Sequence, residues 1–145
     1  MNPEIIVLNR QRKFPLPLPK IRELARLAYT NCLKFPSTAA PDVLPELEEV
    51  TFMLTSDRQI AKLHGEFMGI PTATDVITFL HGDVVISVET AAANAEIYGT
   101  SLLREVVLYM SHGFLHLHGH DDKDPENAAT MEKIQLEILD DLGVL

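Results

Sequence analysis

Two histidines one helical turn apart, followed by a glycine and an aspartate, constrain this chain more than any other feature. They lie in His112-Gly113-Phe114-Leu115-His116-Leu117-His118-Gly119-His120-Asp121-Asp122. Residues four apart on an α-helix share a face, so His112 and His116 can present two imidazole nitrogens to one cation. Asp122 can supply a third ligand if the chain leaves the helix and folds back. Gly119 stands where a left-handed turn is least strained, because glycine has no Cβ to clash.

The pattern H-x-x-x-H-x-x-G-x-x-D follows the layout of metzincin zinc sites: two helical histidines, a glycine turn and a third ligand beyond it. One part of the protease pattern is absent. Gly113 occupies the position where H-E-x-x-H enzymes carry the glutamate that takes a proton from the attacking water. Peptide hydrolysis is therefore disfavoured. A zinc ion still lowers the pKa of water to about 7 and still polarises a phosphoryl oxygen, so a hydrolase of phosphodiesters remains open without that base. A helix continued past Gly119 would instead align His112, His116 and His120 in one stripe, as a solvated face or a different ligand set, and the glycine argues against it. His118 and His120 are expected behind the ligands or facing substrate, with His120 the reserve third ligand. Cys32 lies among apolar neighbours in a helical pattern and is expected in the core.

With 145 residues and 46% hydrophobic content, one domain spanning 1–145 is expected, long enough to bury about two-thirds of its unfolded surface. A single cysteine excludes an internal disulfide framework and fits a reducing compartment. No run approaches the ~20 apolar residues that span a bilayer, and Met1-Asn2-Pro3-Glu4 lacks the flank of a signal peptide. A soluble, cytoplasmic protein with no membrane partner is expected. The net charge of −9 weighs against phosphate binding. Its distribution is polarised, however: Arg10, Arg12, Lys13, Lys20, Arg22 and Arg26 precede an acidic segment from Asp121 to Asp141. The basic end reads either as a solvated helix face or as an RNA track.

Periodicity gives alternating elements. Glu4 to Asn9 is a strand, prolines 15, 17 and 19 form a connector, and a helix runs from about Lys20 to Lys34 with Ile21, Leu24, Ala25, Ala28 and Leu33 inward. Pro36 to Pro45 reads as loop. Glu49 to Leu54 alternates as a strand, and Ser56 caps a helix with Ile60, Leu63 and Phe67 on its inner face. Asp75 to Phe79 and Asp83 to Val88 are β-branched runs joined at His81-Gly82, a hairpin. Three helices follow, near Glu89 to Tyr98, Leu102 to Leu117 and Asp124 to Leu142. The fold class is α/β (α+β): a small mixed four-stranded sheet covered by about five helices, with the metal site on a central helix.

Thr72-Ala73-Thr74-Asp75-Val76-Ile77-Thr78-Phe79, Gly82-Asp83-Val84-Val85-Ile86-Ser87, and Arg104-Glu105 leading into His112 to Gly119 together resemble the YbeY family of bacterial rRNA maturation endoribonucleases. Order and spacing match from about Leu54 to Leu142, and more weakly before. The resemblance implies a zinc-dependent endoribonuclease acting on single-stranded rRNA, in small-subunit rRNA 3′-end processing and ribosome quality control. It also implies two partners, a small-subunit ribosomal protein and an assembly GTPase. The segment at Thr74-Asp75 then lies beside the metal cleft, where hydroxyls and a strand edge can hold single-stranded RNA, although a turn before a buried strand explains it equally.

Two positions depart from the family pattern. The third ligand is usually histidine and here is Asp122, an acceptable zinc ligand at about 2.0–2.2 Å that leaves the site less positive and the Lewis acid weaker. Met68 stands where an arginine usually lies near the active site. An arginine would clamp phosphate and stabilise developing charge; methionine cannot. Arg104, about two turns before His112, or Lys62 is the expected substitute, and Arg104 can equally pair with a carboxylate. His64 is expected at the surface. The catalytic candidates are thus Arg104 and His120, and the zinc ligands His112, His116 and Asp122. The alternatives are a non-catalytic ribosome-assembly module with a structural metal, which Met68 favours, and another metal-dependent hydrolase.

Overall fold

The structure, a computed structural model, describes residues 2–39 and 41–144. Strand β1 (Glu4–Asn9) leads through the proline connector into α1 (Leu18–Cys32). The helix starts two residues before the expected Lys20 because Pro19, with no N–H to satisfy, is accommodated in the first turn. Ile21, Leu24, Ala25, Ala28, Tyr29 and Cys32 form its buried face. Leu33, expected inward, follows the helix and is 43% exposed. A short 3-10 turn (Leu44–Glu46) precedes β2 (Glu49–Thr55) and α2 (Asp57–Met68), whose Ser56 Oγ accepts from the Gln59 N–H as the cap pattern predicts. Ile60 is buried on α2, and Phe67 extends the same face edge-on to the Phe79 ring at 5.3 Å but is 64% exposed at its rim.

The hairpin forms as expected from β3 (Val76–Thr78) and β4 (Asp83–Ser87), with Ile77 opposite Val85. Helices α3 (Val88–Tyr98), α4 (Leu102–Leu117) and α5 (Pro125–Leu142) complete the order. The sheet runs β1-β2-β4-β3, with β1, β2 and β4 parallel and β3 antiparallel at the edge. It is mixed and four-stranded, as the sequence predicts.

Helix α4 is the central element. Val106, Val107, Met110, Phe114, Leu115 and Leu117 are buried on it, and the Phe114 ring meets Phe52 edge-on at 5.0 Å and Tyr29 at 5.8 Å. Such T-shaped pairs add to the area term that drives burial. Cys32 lies in this core, its thiol donating to the Tyr29 carbonyl and its pKa pushed up to about 12 by burial and by Asp42. It is a packing residue, not a reactive thiol.

Gly113 fixes how close α4 comes to the sheet. A Cβ there would lie 2.8 Å and 3.1 Å from the two methyls of Val84 on β4, with Thr78 Oγ1 at 3.5 Å. Valine is stiff at χ1 and Val84 is fully buried, so neither partner can give way easily. Gly113→Ala is expected to lower unfolding free energy by about 1–3 kcal/mol, with a larger loss for Gly113→Glu, read from the denaturant midpoint. A Gly113→Ala variant as stable as the parent would mean that the helix can move off the sheet.

Candidate metal centre

Helix α4 ends directly beneath its second histidine. Gly119 adopts φ +84°, the Gly119 N–H donates to the His116 carbonyl and the His120 N–H to the Leu115 carbonyl. This is a Schellman turn with glycine at its left-handed position, as the sequence predicts. The reversal carries Asp122 back over the helix. Its Oδ2 lies 3.7 Å from His112 Nε2 and 3.9 Å from His116 Nε2, and the two imidazole nitrogens are 3.0 Å apart. A tetrahedral zinc with ligand bonds near 2.1 Å separates its donor atoms by roughly 3.4 Å, so the three distances bracket what the ion needs. On such an ion, two imidazoles and a carboxylate would leave a fourth position open, as catalytic sites do and structural ones do not. The residues fit a zinc ion.

The rings are held from behind. His116 Nδ1 lies 3.2 Å from the His120 carbonyl, and a carbonyl only accepts. Nδ1 therefore carries the proton, leaving the Nε2 lone pair directed at the site. His112 Nδ1 meets the side-chain amide of Gln135 on α5 at 2.6 Å. As oriented, the amide nitrogen donates, His112 Nε2 keeps a proton and shares it with His116 Nε2. Turning the amide by half a rotation offers its oxygen to an Nδ1 proton and frees His112 Nε2 to ligate. Burial, and next the neighbouring His116, lower the His112 pKa to about 4, against the opposing pull of Asp122 and Asp75. At neutral pH the ring is uncharged and available to a cation.

A cleft of about 540 Å³ opens on the ligands. His64, Met68, Thr74, Asp75, Thr78 and Lys123 contribute to its walls. The edge strand β3 and the Thr74-Asp75 segment before it thus border the cleft, as the family resemblance implied. Asp75 Oδ1 accepts from the Val76 N–H, which holds the carboxylate at the cleft rim. Among the catalytic candidates, His120 borders the cleft but is buried, its Nε2 3.2 Å from the Phe35 carbonyl and its Nδ1 3.5 Å from Thr38 Oγ1. Burial lowers its pKa. Its carbonyl, not its ring, touches a ligand. His118 is buried beside Asp42, with Nδ1 3.1 Å from Oδ2. Arg104 does not line this cleft; it pairs with buried Glu105 at 3.1 Å and faces a second depression that reaches His112 and Asp122 from the other side. Lys62 is exposed on α2 and lines neither.

Three residues escaped the sequence reading. Lys123, beside a ligand in sequence, brings a cation into the cleft. His64, expected at the surface, lines it, and its Nδ1 lies 2.9 Å from the Thr72 carbonyl. The bond to an acceptor places the proton on Nδ1 and leaves Nε2 able to accept one. Gln135 sits at a helical spacing that signals only a partly buried polar residue, and nothing in its local sequence marks it as a histidine partner.

The family model described as "Endoribonuclease YbeY" matches residues 6–143. A protein of that name from Moorella thermoacetica is 32% identical, covering 97% of this chain and 98% of the relative. Another from Renibacterium salmoninarum is 30% identical, covering 92% and 90%, and one from Thermus thermophilus is 38% identical over 62% and 73%. A Thermotoga maritima protein solved in solution superposes with a TM-score of 0.58 at 22% identity, over 95% of this chain and 91% of the other, a likeness of fold.

Gln135→Leu is expected to weaken zinc binding about 10- to 100-fold, and Gln135→Glu to restore it, in competition with a chromophoric chelator. Equal affinities in all three proteins would remove Gln135 from the site. Stability of the metal-free chain should depend on pH through His112. Between pH 6.5 and about 4 the unfolded chain binds a proton that the folded chain does not, so stability falls as pH falls through that window and is regained above it. Urea titrations across it should show the slope, and His112→Phe should flatten it.

Proposed function

The chain belongs to the YbeY endoribonuclease family, hydrolases of RNA phosphodiester bonds, and we propose that it is a zinc-dependent endonuclease of single-stranded rRNA. The reading extends to maturation of the 3′ end of small-subunit rRNA and to ribosome quality control, with a small-subunit ribosomal protein and an assembly GTPase as partners. The cluster of His112 Nε2, His116 Nε2 and Asp122 Oδ2, all within 4.8 Å of one another beside an open cleft, carries it. When bound, zinc acidifies a water molecule toward pKa 7 and polarises a phosphoryl oxygen.

The chain's own residues supply the rest. The His120 carbonyl orients His116 so that its Nε2 lone pair faces the ion, and Gln135 does the same for His112 once its amide oxygen is turned to the Nδ1 proton. Lys123 in the cleft and Arg104 in the adjoining depression are the cations within reach of a phosphate. Met68 leaves this chain without an arginine on the α2 side of the cleft. Lys123 and Arg104 therefore take over charge stabilisation as the attack proceeds. His120 contributes as a positioning residue through its backbone. Among the described residues no helix is long and apolar enough to cross a membrane.

Elemental mass spectrometry of untagged protein, followed by cleavage of a single-stranded rRNA fragment, tests the reading. About one zinc per chain is expected, lost in Asp122→Ala, with cleavage abolished by chelator and reduced about 10- to 1,000-fold in Arg104→Ala or Lys123→Ala. Protein that takes up no zinc even after its addition, or that loads zinc fully and cleaves no RNA, would leave a ribosome-binding module as the better account.

A further inference from the structure

The ligands His112 and Asp122 border two depressions, not one. Besides the cleft at β3, a second hollow of about 550 Å³ opens between α3, α4 and α5. Within an RNA strand each phosphodiester joins two nucleosides. A strand whose phosphate reached the divide at His112 and Asp122 would send one nucleoside into the cleft and the other into this hollow.

Three groups on its wall suit a ligand held there. Tyr98, at the end of α3, is 71% exposed. Arg104 has its guanidinium held by the buried Glu105 carboxylate at 3.1 Å and its side chain only 21% exposed, so the plane of the group is fixed. Thr100 Oγ1 is buried without a hydrogen-bond partner, and buried hydroxyls are normally satisfied. An exposed ring, a fixed planar cation and an orphan hydroxyl are the chemistry that receives a nucleoside: a face to stack on, a charge beside it, and a partner for a ribose or base-edge group.

Overall charge favours the same ligand. At net −9 the chain gains little from a long track of phosphate contacts. Base stacking is independent of that balance and tolerant of sequence.

We propose that the hollow walled by Tyr98, Thr100 and Arg104 is a nucleoside subsite of the active site, holding the residue of single-stranded RNA on one side of the scissile phosphate by stacking on Tyr98. This rests on the endoribonuclease reading. Single-stranded oligoribonucleotides with 2-aminopurine at successive positions around the cleavage site test it, with cleavage kinetics measured in parallel on zinc-loaded protein. Binding should quench the fluorophore on one side of the cleaved bond, and Tyr98→Ala should remove that quenching while raising KM roughly 10- to 100-fold, with Tyr98→Phe close to the parent. The defect should persist across salt concentrations, unlike one arising from phosphate contact. Because Tyr98 is a surface side chain, unfolding is not expected, and unchanged zinc content checks it. Quenching and KM unaltered in Tyr98→Ala, with the parent cleaving normally, would overturn the subsite alone. A parent that neither binds nor cleaves RNA would overturn the endoribonuclease reading and the subsite with it.

Discussion

The approach of α4 to β4 at Gly113 is the constraint on which the rest depends. A helix packed on a sheet normally keeps a layer of side chains between the backbones; here one position has none, because the Val84 methyls fill the space a Cβ would need. The residue between the two histidine turns is thereby committed to packing. Its neighbours on the helix, Phe114 and Leu115, complete the buried face, while His112 and His116 remain on the open side, partly exposed. The missing glutamate is thus not only a chemical omission. In this packing a glutamate at 113 would point into the sheet, where it could not reach a water above the ligands.

The Schellman turn that follows does two things with one set of dihedral angles. It satisfies the last carbonyls of α4, and it aims the His120 carbonyl at His116 Nδ1. Its own Gly119 carbonyl accepts from Ser37 Oγ and from the Thr38 and Ala39 N–H groups, so the segment after α1 grips the turn. The second ligand's orientation is thereby tied to the N-terminal half of the chain. His112 is tied in the same way to α5 through Gln135. Each imidazole has its support on a different element.

The elements and the clustering of His112, His116 and Asp122 were legible because they leave local marks. Hydrophobic spacing, Ser56 as a cap, the His81-Gly82 turn and the glycine after His118 all act within a few residues of their effect. What was not legible depends on contacts between distant segments. Phe67 has the right spacing for an inner face and does meet Phe79, but only Ile60, Ile77 and Val85 are buried in that small cluster, so Phe67 stays 64% exposed at its edge. Arg104 is two turns from His112 in sequence, but the Glu105 carboxylate turns it toward a different hollow. His64 and Lys123 enter the cleft because α2 and the loop after α4 converge there, which no one-dimensional pattern records.

The three ligands come from a segment in which His112 and Asp122 are ten positions apart, whereas the grip of Ser37 on Gly119 spans 82. Loop-closure entropy grows with the logarithm of separation, so the long contact is harder to close by ~2 kcal/mol. Bringing the donor atoms together is therefore a local event, and holding them still is a global one. Damage far away, in the segment after α1, would leave a chain that still gathers its histidines and carboxylate but no longer keeps them in register. Such a protein would fail by imprecision rather than by losing a ligand.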